Sequence, residues 1–109
     1  MDRKEKKEDR MQTATIKEDL KGIRYYYARK KLFEKASSTI GENLILRKIE
    51  TYNKVIRTAT PRLYDLYVSL YLENNTQESL SESLGYSIEY ISKLNRKLVK
   101  FFQDNIKEE

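Results

Sequence analysis

The residues with chemistry to offer gather near the C-terminus. From Tyr90 to Phe102 the chain carries four cations, Lys93, Arg96, Lys97 and Lys100, and no acid. Just upstream lie hydrogen-bonding side chains: Thr76, Gln77, Ser79, Ser87, Glu89 and Ser92. Such a set suits recognition, because guanidinium and ammonium groups pair with phosphates or guanine edges, and a carboxylate accepts from a cytosine amine. It suits bond-making poorly. The 109-residue chain has no histidine and no cysteine, which excludes most zinc sites, cysteine nucleophiles and imidazole acid–base catalysis. Its three glycines, Gly22, Gly41 and Gly85, form no phosphate-cradling loop, and its acids are scattered among lysines and arginines. The expectation is binding chemistry, with no enzyme activity, no metal and no cofactor.

For those side chains to act together, two helices must meet at a steep angle across a short turn. The stretch Gln77 to Leu94 has the residues for such a helix-turn-helix. Ser81 is small where the helices touch, and Gly85, four residues on, tolerates the positive φ of the turn. Leu80, Leu84 and Tyr86 are expected to plug the angle from one side, and Ile91 and Leu94 from the other. Thr76 and Ser87 stand where each helix needs an N-cap. An ordinary helical hairpin is the competing reading, but it does not require Ser81, Gly85 and the five apolar residues all in register.

The rest of the chain supplies supporting helices and no strand signal. Residues 1–12 alternate charges without apolar anchors and read as a flexible tail. A first helix is expected from Thr13 or Thr15, with Ile16, Leu20, Ile23 and Tyr27 on one face, continuing through Phe33 to about Ala36. Ser37-Ser38-Thr39 and Gly41 mark a break. Ile45, Ile49, Tyr52 and Ile56, widened by Leu46, predict a second helix over 42–58. Thr60-Pro61 opens a third, facing inward with Leu63, Tyr67, Leu70 and Tyr71, to about Leu72. The last helix starts after Ser87 and turns Ile91, Leu94, Leu98 and Phe101 or Phe102 inward. The expected fold is all-α with about five helices: an N-terminal helical region, 13–59, and a C-terminal trihelical helix-turn-helix domain, 60–109.

Charge adds a second constraint. The net charge is +5, and residues 16–48 hold the surplus, with 9 basic against 4 acidic groups. Arg24-Tyr25-Tyr26-Tyr27-Ala28-Arg29-Lys30-Lys31 interleaves bases with aromatics, a pattern that can stack on single-stranded nucleic acid. Consecutive tyrosines point in different directions on a helix, however. Packing of Tyr27 and one neighbour into the core, with Arg29, Lys30 and Lys31 wet, is the preferred reading. Spare tyrosines could instead mark a homodimer surface, and Lys30, Lys31 and Lys35 could add phosphate contacts. No run of 18 apolar residues and no secretory h-region is present, so no membrane association is expected. The lack of cysteine points to a cytoplasmic protein.

The block from Thr60-Pro61-Arg62 through Tyr71, Thr76-Gln77-Glu78, Leu84-Gly85-Tyr86-Ser87 and Arg96-Lys97-Leu98 resembles the C-terminal helix-turn-helix domain of bacterial sigma factors. It is closer still to the short sigma-like regulators of phages and prophages of Gram-positive bacteria, the ArpU and RinA type. The resemblance covers residues 60–102, and residues 13–58 only in general character. It implies a transcriptional regulator, often of phage late genes, and contact with RNA polymerase. The chain departs from the family in having Ser81 for the usual alanine and Ile88-Glu89 where many relatives place arginine.

In such a motif the second helix enters the major groove of double-stranded DNA with its N-terminal residues toward base edges. Ile88, Glu89, Ser92, Lys93 and Arg96 lie away from the apolar side of that helix. Arg96 could take guanine or a phosphate, and Glu89 a cytosine amine. Lys97 and Lys100 are placed for phosphates, as are Thr76, Gln77 and Ser79 at the start of the first motif helix, and the cap Ser87 completes the DNA-binding set. Two other functions fit the composition: a protein–protein module engaging RNA polymerase without reading DNA, and a phage DNA-packaging recognition subunit.

Overall fold

The computed structural model describes residues 12–30 and 40–106, and it is all-helical throughout. Helix α1 spans Thr13–Ala28, α2 Ile40–Ile56, α3 Pro61–Tyr67, α4 Gln77–Leu84 and α5 Ile88–Asn105. The expected charged tail, apart from Gln12, lies outside the described residues. So do the expected break at 37–39, and Lys31, Phe33, Lys35 and Ala36.

Helix α5 organises the core. Ile91, Leu94, Leu98, Val99 and Phe102 are buried at the three- and four-residue spacing of one helical face. Phe102 lies between Tyr52 of α2 and Tyr67 of α3, with ring centroids 4.7 and 5.5 Å away. Ile16, Leu20 and Ile23 of α1, Ile49 and Ile56 of α2, and Leu66 and Leu70 around α3 belong to the same cluster. Burial of each such aliphatic side chain contributes about 1.5–3 kcal/mol. One core therefore joins residues from both sides of position 60.

The helix boundaries follow local chemistry, with some departures from the expected pattern. Thr60 accepts the Leu63 N–H at 3.5 Å with Pro61 in the first helical position, as its spacing predicts. Helix α1 begins one residue early, so Gln12 takes the extended N-cap conformation and neither Thr13 nor Thr15 caps it. Its regular turns end at Ala28, where Arg29 leaves helical geometry and gives its N–H to both Tyr25 and Tyr26 carbonyls. Gly41, expected in the break, lies within the first turn of α2. After Tyr67 the chain widens into a π-helical turn, Val68–Leu72, closed by Glu73 N–H on the Val68 carbonyl at 2.8 Å. Asn75 holds that end: its backbone and side-chain amides both donate to the Ser69 carbonyl, at 2.9 and 3.1 Å. Asn74, at φ 62°, makes the left-handed bend that asparagine tolerates.

Tyrosine hydroxyls tie the layers together. Tyr52 donates to the buried Asp19 carboxylate at 2.7 Å, and Lys48 closes the other oxygen at 2.9 Å. Tyr67 donates to Asn53 at 2.6 Å, and Asn53 donates onward to Tyr27. Tyr71 donates to Asn95 of α5 at 2.6 Å. In the α1 tyrosine run Tyr26 is the buried member, and Tyr27 packs partly buried beside it. Tyr25 lies on the surface under the Arg29 guanidinium, 4.2 Å from its ring centroid.

Burial pushes the phenols of Tyr52, Tyr67 and Tyr71 above the ordinary tyrosine value; for Tyr52 the hydrogen bond to Asp19 and the charge of that carboxylate add to it. These phenols keep their protons in the folded chain where unfolded tyrosines ionise, near pH 10. The folded state then binds more protons, so stability is full below the unfolded value and falls as pH rises past it. Tyr52→Phe is expected to cost about 1–3 kcal/mol at neutral pH, because the buried Asp19 carboxylate loses a donor. The variant should also lose less stability between neutral and strongly alkaline pH. Urea unfolding at the two pH values checks both, and a Tyr52→Phe protein as stable as wild type at neutral pH would contradict the buried bond.

Candidate nucleic-acid interface

Two capped helices build the site. Thr76 accepts the Ser79 N–H at 2.9 Å and starts α4; Ser87 accepts the Tyr90 N–H at 3.1 Å and starts α5. Between them Gly85 adopts φ 75°, the left-handed exit its position predicts, and its N–H donates to the Ser81 carbonyl at 3.0 Å. The Ser81 hydroxyl donates in return to the Tyr86 carbonyl, binding the last turn of α4 to the connection. The motif spacing marks Ser81 only as a small residue. The hydroxyl was visible in the sequence, but its partner is set by the turn.

Leu80, Ile91 and Leu94 close the angle between α4 and α5 as expected, but Leu84 and Tyr86 do not. They are 57% and 42% exposed. Leu66 of α3 is buried in the same cluster as Leu80, Ile91 and Leu94. Leu84 and Tyr86 instead line a groove of about 790 Å³ with Pro61, Leu66, Leu80, Ile91 and Leu94, edged by Arg62, Asp65 and Glu73. Tyr86 leans on Tyr90, ring centroids 4.8 Å apart, and Arg62 donates to the Tyr90 hydroxyl at 2.5 Å. Nothing in the spacing marks Arg62 and Tyr90, which are 28 residues apart, as partners.

The outward face of α5 carries the expected side chains. Glu89, Lys93, Arg96 and Lys100 recur at three- and four-residue steps, opposite the buried Ile91, Leu98 and Phe102, with Lys97 beside them. Glu89, Lys93, Arg96 and Lys97 are exposed, while Ser92 is half-buried and bonded to Arg96 at 3.3 Å. Lys100 makes one long contact with Asp104, 3.9 Å, at the surface. Among the described residues Lys93, Arg96 and Lys97 have no ion-pair partner, so nothing competes for their charge. Thr76 and Ser87 are exposed, Ile88 is 48% exposed, and Gln77 is half-buried. The capping hydroxyls of Thr76 and Ser87 already accept a backbone amide, which leaves each a proton to donate.

The first helix also reaches the approach to this site. Arg24 of α1 donates to the Asn74 carbonyl at 3.3 Å, bracing the bend that leads into α4. Among the described residues no three acidic side chains converge as a metal site, and no helix is long and apolar enough to cross a membrane. No family model matches the chain, and neither the curated proteins nor the solved structures contain a match.

At Gly85 a Cβ would meet nothing within 4 Å, so a side chain there is opposed by backbone conformation alone. Gly85→Ala is expected to cost about 1–2 kcal/mol, the penalty for an L-residue in the left-handed region. Gly85→Asn should cost less, since asparagine tolerates that region. Urea midpoints at constant slope measure both, and an alanine variant equal to wild type would refute the strained turn.

Proposed function

We propose that this protein binds double-stranded DNA and regulates transcription, laying α5 in the major groove. The observation that carries the reading is the face of Glu89, Lys93, Arg96, Lys97 and Lys100: predominantly cationic and exposed, with Lys93, Arg96 and Lys97 in no ion pair among the described residues. It lies on a helix whose other side is fixed in the core. Lys97 and Lys100 sit further along the helix and serve phosphates. Lys93 and Arg96 lie closer to the base edges, and Glu89 in the first turn accepts from a cytosine amine. Thr76, Gln77 and Ser79 offer a second phosphate contact from the start of α4. The resemblance to sigma-like phage regulators supports DNA binding by this helix and suggests prophage genes as the target.

A second reading has its own observation. The groove beside the turn exposes Leu84 and Tyr86 with an acidic edge at Asp65 and Glu73, a surface that suits a protein partner such as RNA polymerase. The two readings are compatible if the groove and the α5 face are used together. A homodimer would fit a palindromic site.

Binding to a random duplex pool across a salt series tests the DNA reading. Wild type is expected to select a defined motif, with log affinity falling linearly in log salt as counterions are released. Lys93→Ala/Arg96→Ala should lose the selection, and the salt slope should fall by about 1 for each phosphate contact removed. If wild type retains no duplex at moderate salt, the DNA reading fails and the partner-binding groove becomes the leading site.

A further inference from the structure

Ile88 is the first residue of α5 and is 48% exposed. Its side chain belongs to neither the core nor the groove. Ile88 is absent from the buried cluster and from the partly buried residues packed against it. It is also absent from the groove, which takes Leu84 and Tyr86 on one side of Ile88 in sequence and Ile91 and Leu94 on the other. Its surroundings on the helix are polar: Glu89 follows it and Ser92 lies one turn on, at the margin of the cationic face.

On the DNA-binding reading, the side chains of this first turn suit bases better than phosphates. A carboxylate at Glu89 is repelled by the DNA backbone and gains only from a base amine. An isoleucine cannot bond a phosphate at all. On a major-groove edge its one complementary group is the C5 methyl of thymine. The β-branched side chain is stiff about χ1, so it presents its methyl groups with little rotamer freedom to lose on contact. We infer that Ile88 is a specificity-determining residue that reads a thymine methyl next to the base approached by Glu89. The inference rests on the DNA-binding reading above.

The test uses the duplex that wild type selects, with its thymines replaced one at a time by deoxyuridine, which removes a single methyl. At one position per protomer site wild type should lose about fourfold in affinity, the worth of burying one methyl-sized group. Ile88→Ala should bind the thymine duplex about that much more weakly and should not distinguish thymine from deoxyuridine at that position. Ile88→Val should keep part of the discrimination. Because Ile88 is half exposed, these variants leave the core filled, and an unchanged melting temperature verifies it. If wild type selects DNA but tolerates deoxyuridine everywhere, or if Ile88→Ala still discriminates, the assignment is wrong while the DNA reading stands. If wild type retains no duplex at all, both fall together.

Discussion

Phe102 packed between Tyr52 and Tyr67 is the contact on which the rest of the molecule depends. It fixes the far end of α5 against α2 and α3, while Ile91 and Leu94 fix the near end against α4. A helix held at both ends along one face has its opposite face determined in direction as well as in composition. The cations of that face are therefore presented in a fixed register by the aromatic core. Ridged packing of this kind tolerates little slippage, because each buried side chain must leave its own hole to move.

The N-terminal helices contribute rigidity more than surface. The Asp19–Tyr52–Lys48 cluster joins α1 to α2, and Tyr67 and Asn53 continue that connection to α3. Arg24 then braces Asn74, whose left-handed bend sets where α4 starts. The π-helical turn before it, clamped by Asn75 on Ser69, belongs to the same device. A chain of polar contacts thus runs from the first helix to the beginning of the helix-turn-helix. The capping threonine at 76 and the glycine at 85 need only local chemistry to finish it.

What could be read from the sequence divides along that line. Thr60, Thr76, Ser87 and Gly85 were legible because each acts through its own side chain or backbone freedom, within a few residues. The apolar faces of α2 and α5 were legible because their periods are long and regular. Tyr26 against Tyr27 was not, since both stand at an allowed helical step from Ile23 and only the neighbouring helices decide between them. Leu84 and Tyr86 were misplaced for the same reason: an apolar residue at a turn can plug the angle or face solvent. That choice belongs to the surrounding helices, distant in sequence. The π turn had no signal, because it arises from a clamp five and six residues long rather than from a pattern. Within the site, residue types and their common face on α5 were readable. The Ser81–Tyr86 and Arg62–Tyr90 contacts that stiffen it were not.

On the proposed function, one surface, the starts of α4 and α5 and the outward face of α5, meets DNA while the adjoining groove does not. Titrating isotope-labelled protein with a duplex and following backbone amide resonances tests it residue by residue. The largest shifts are expected at Thr76 to Ser79 and from Ser87 to Lys100, with Asp65, Ser69 and Glu73 along the groove little changed. Shifts centred on those groove residues, or on the basic turns of α1, with α5 silent, would contradict it.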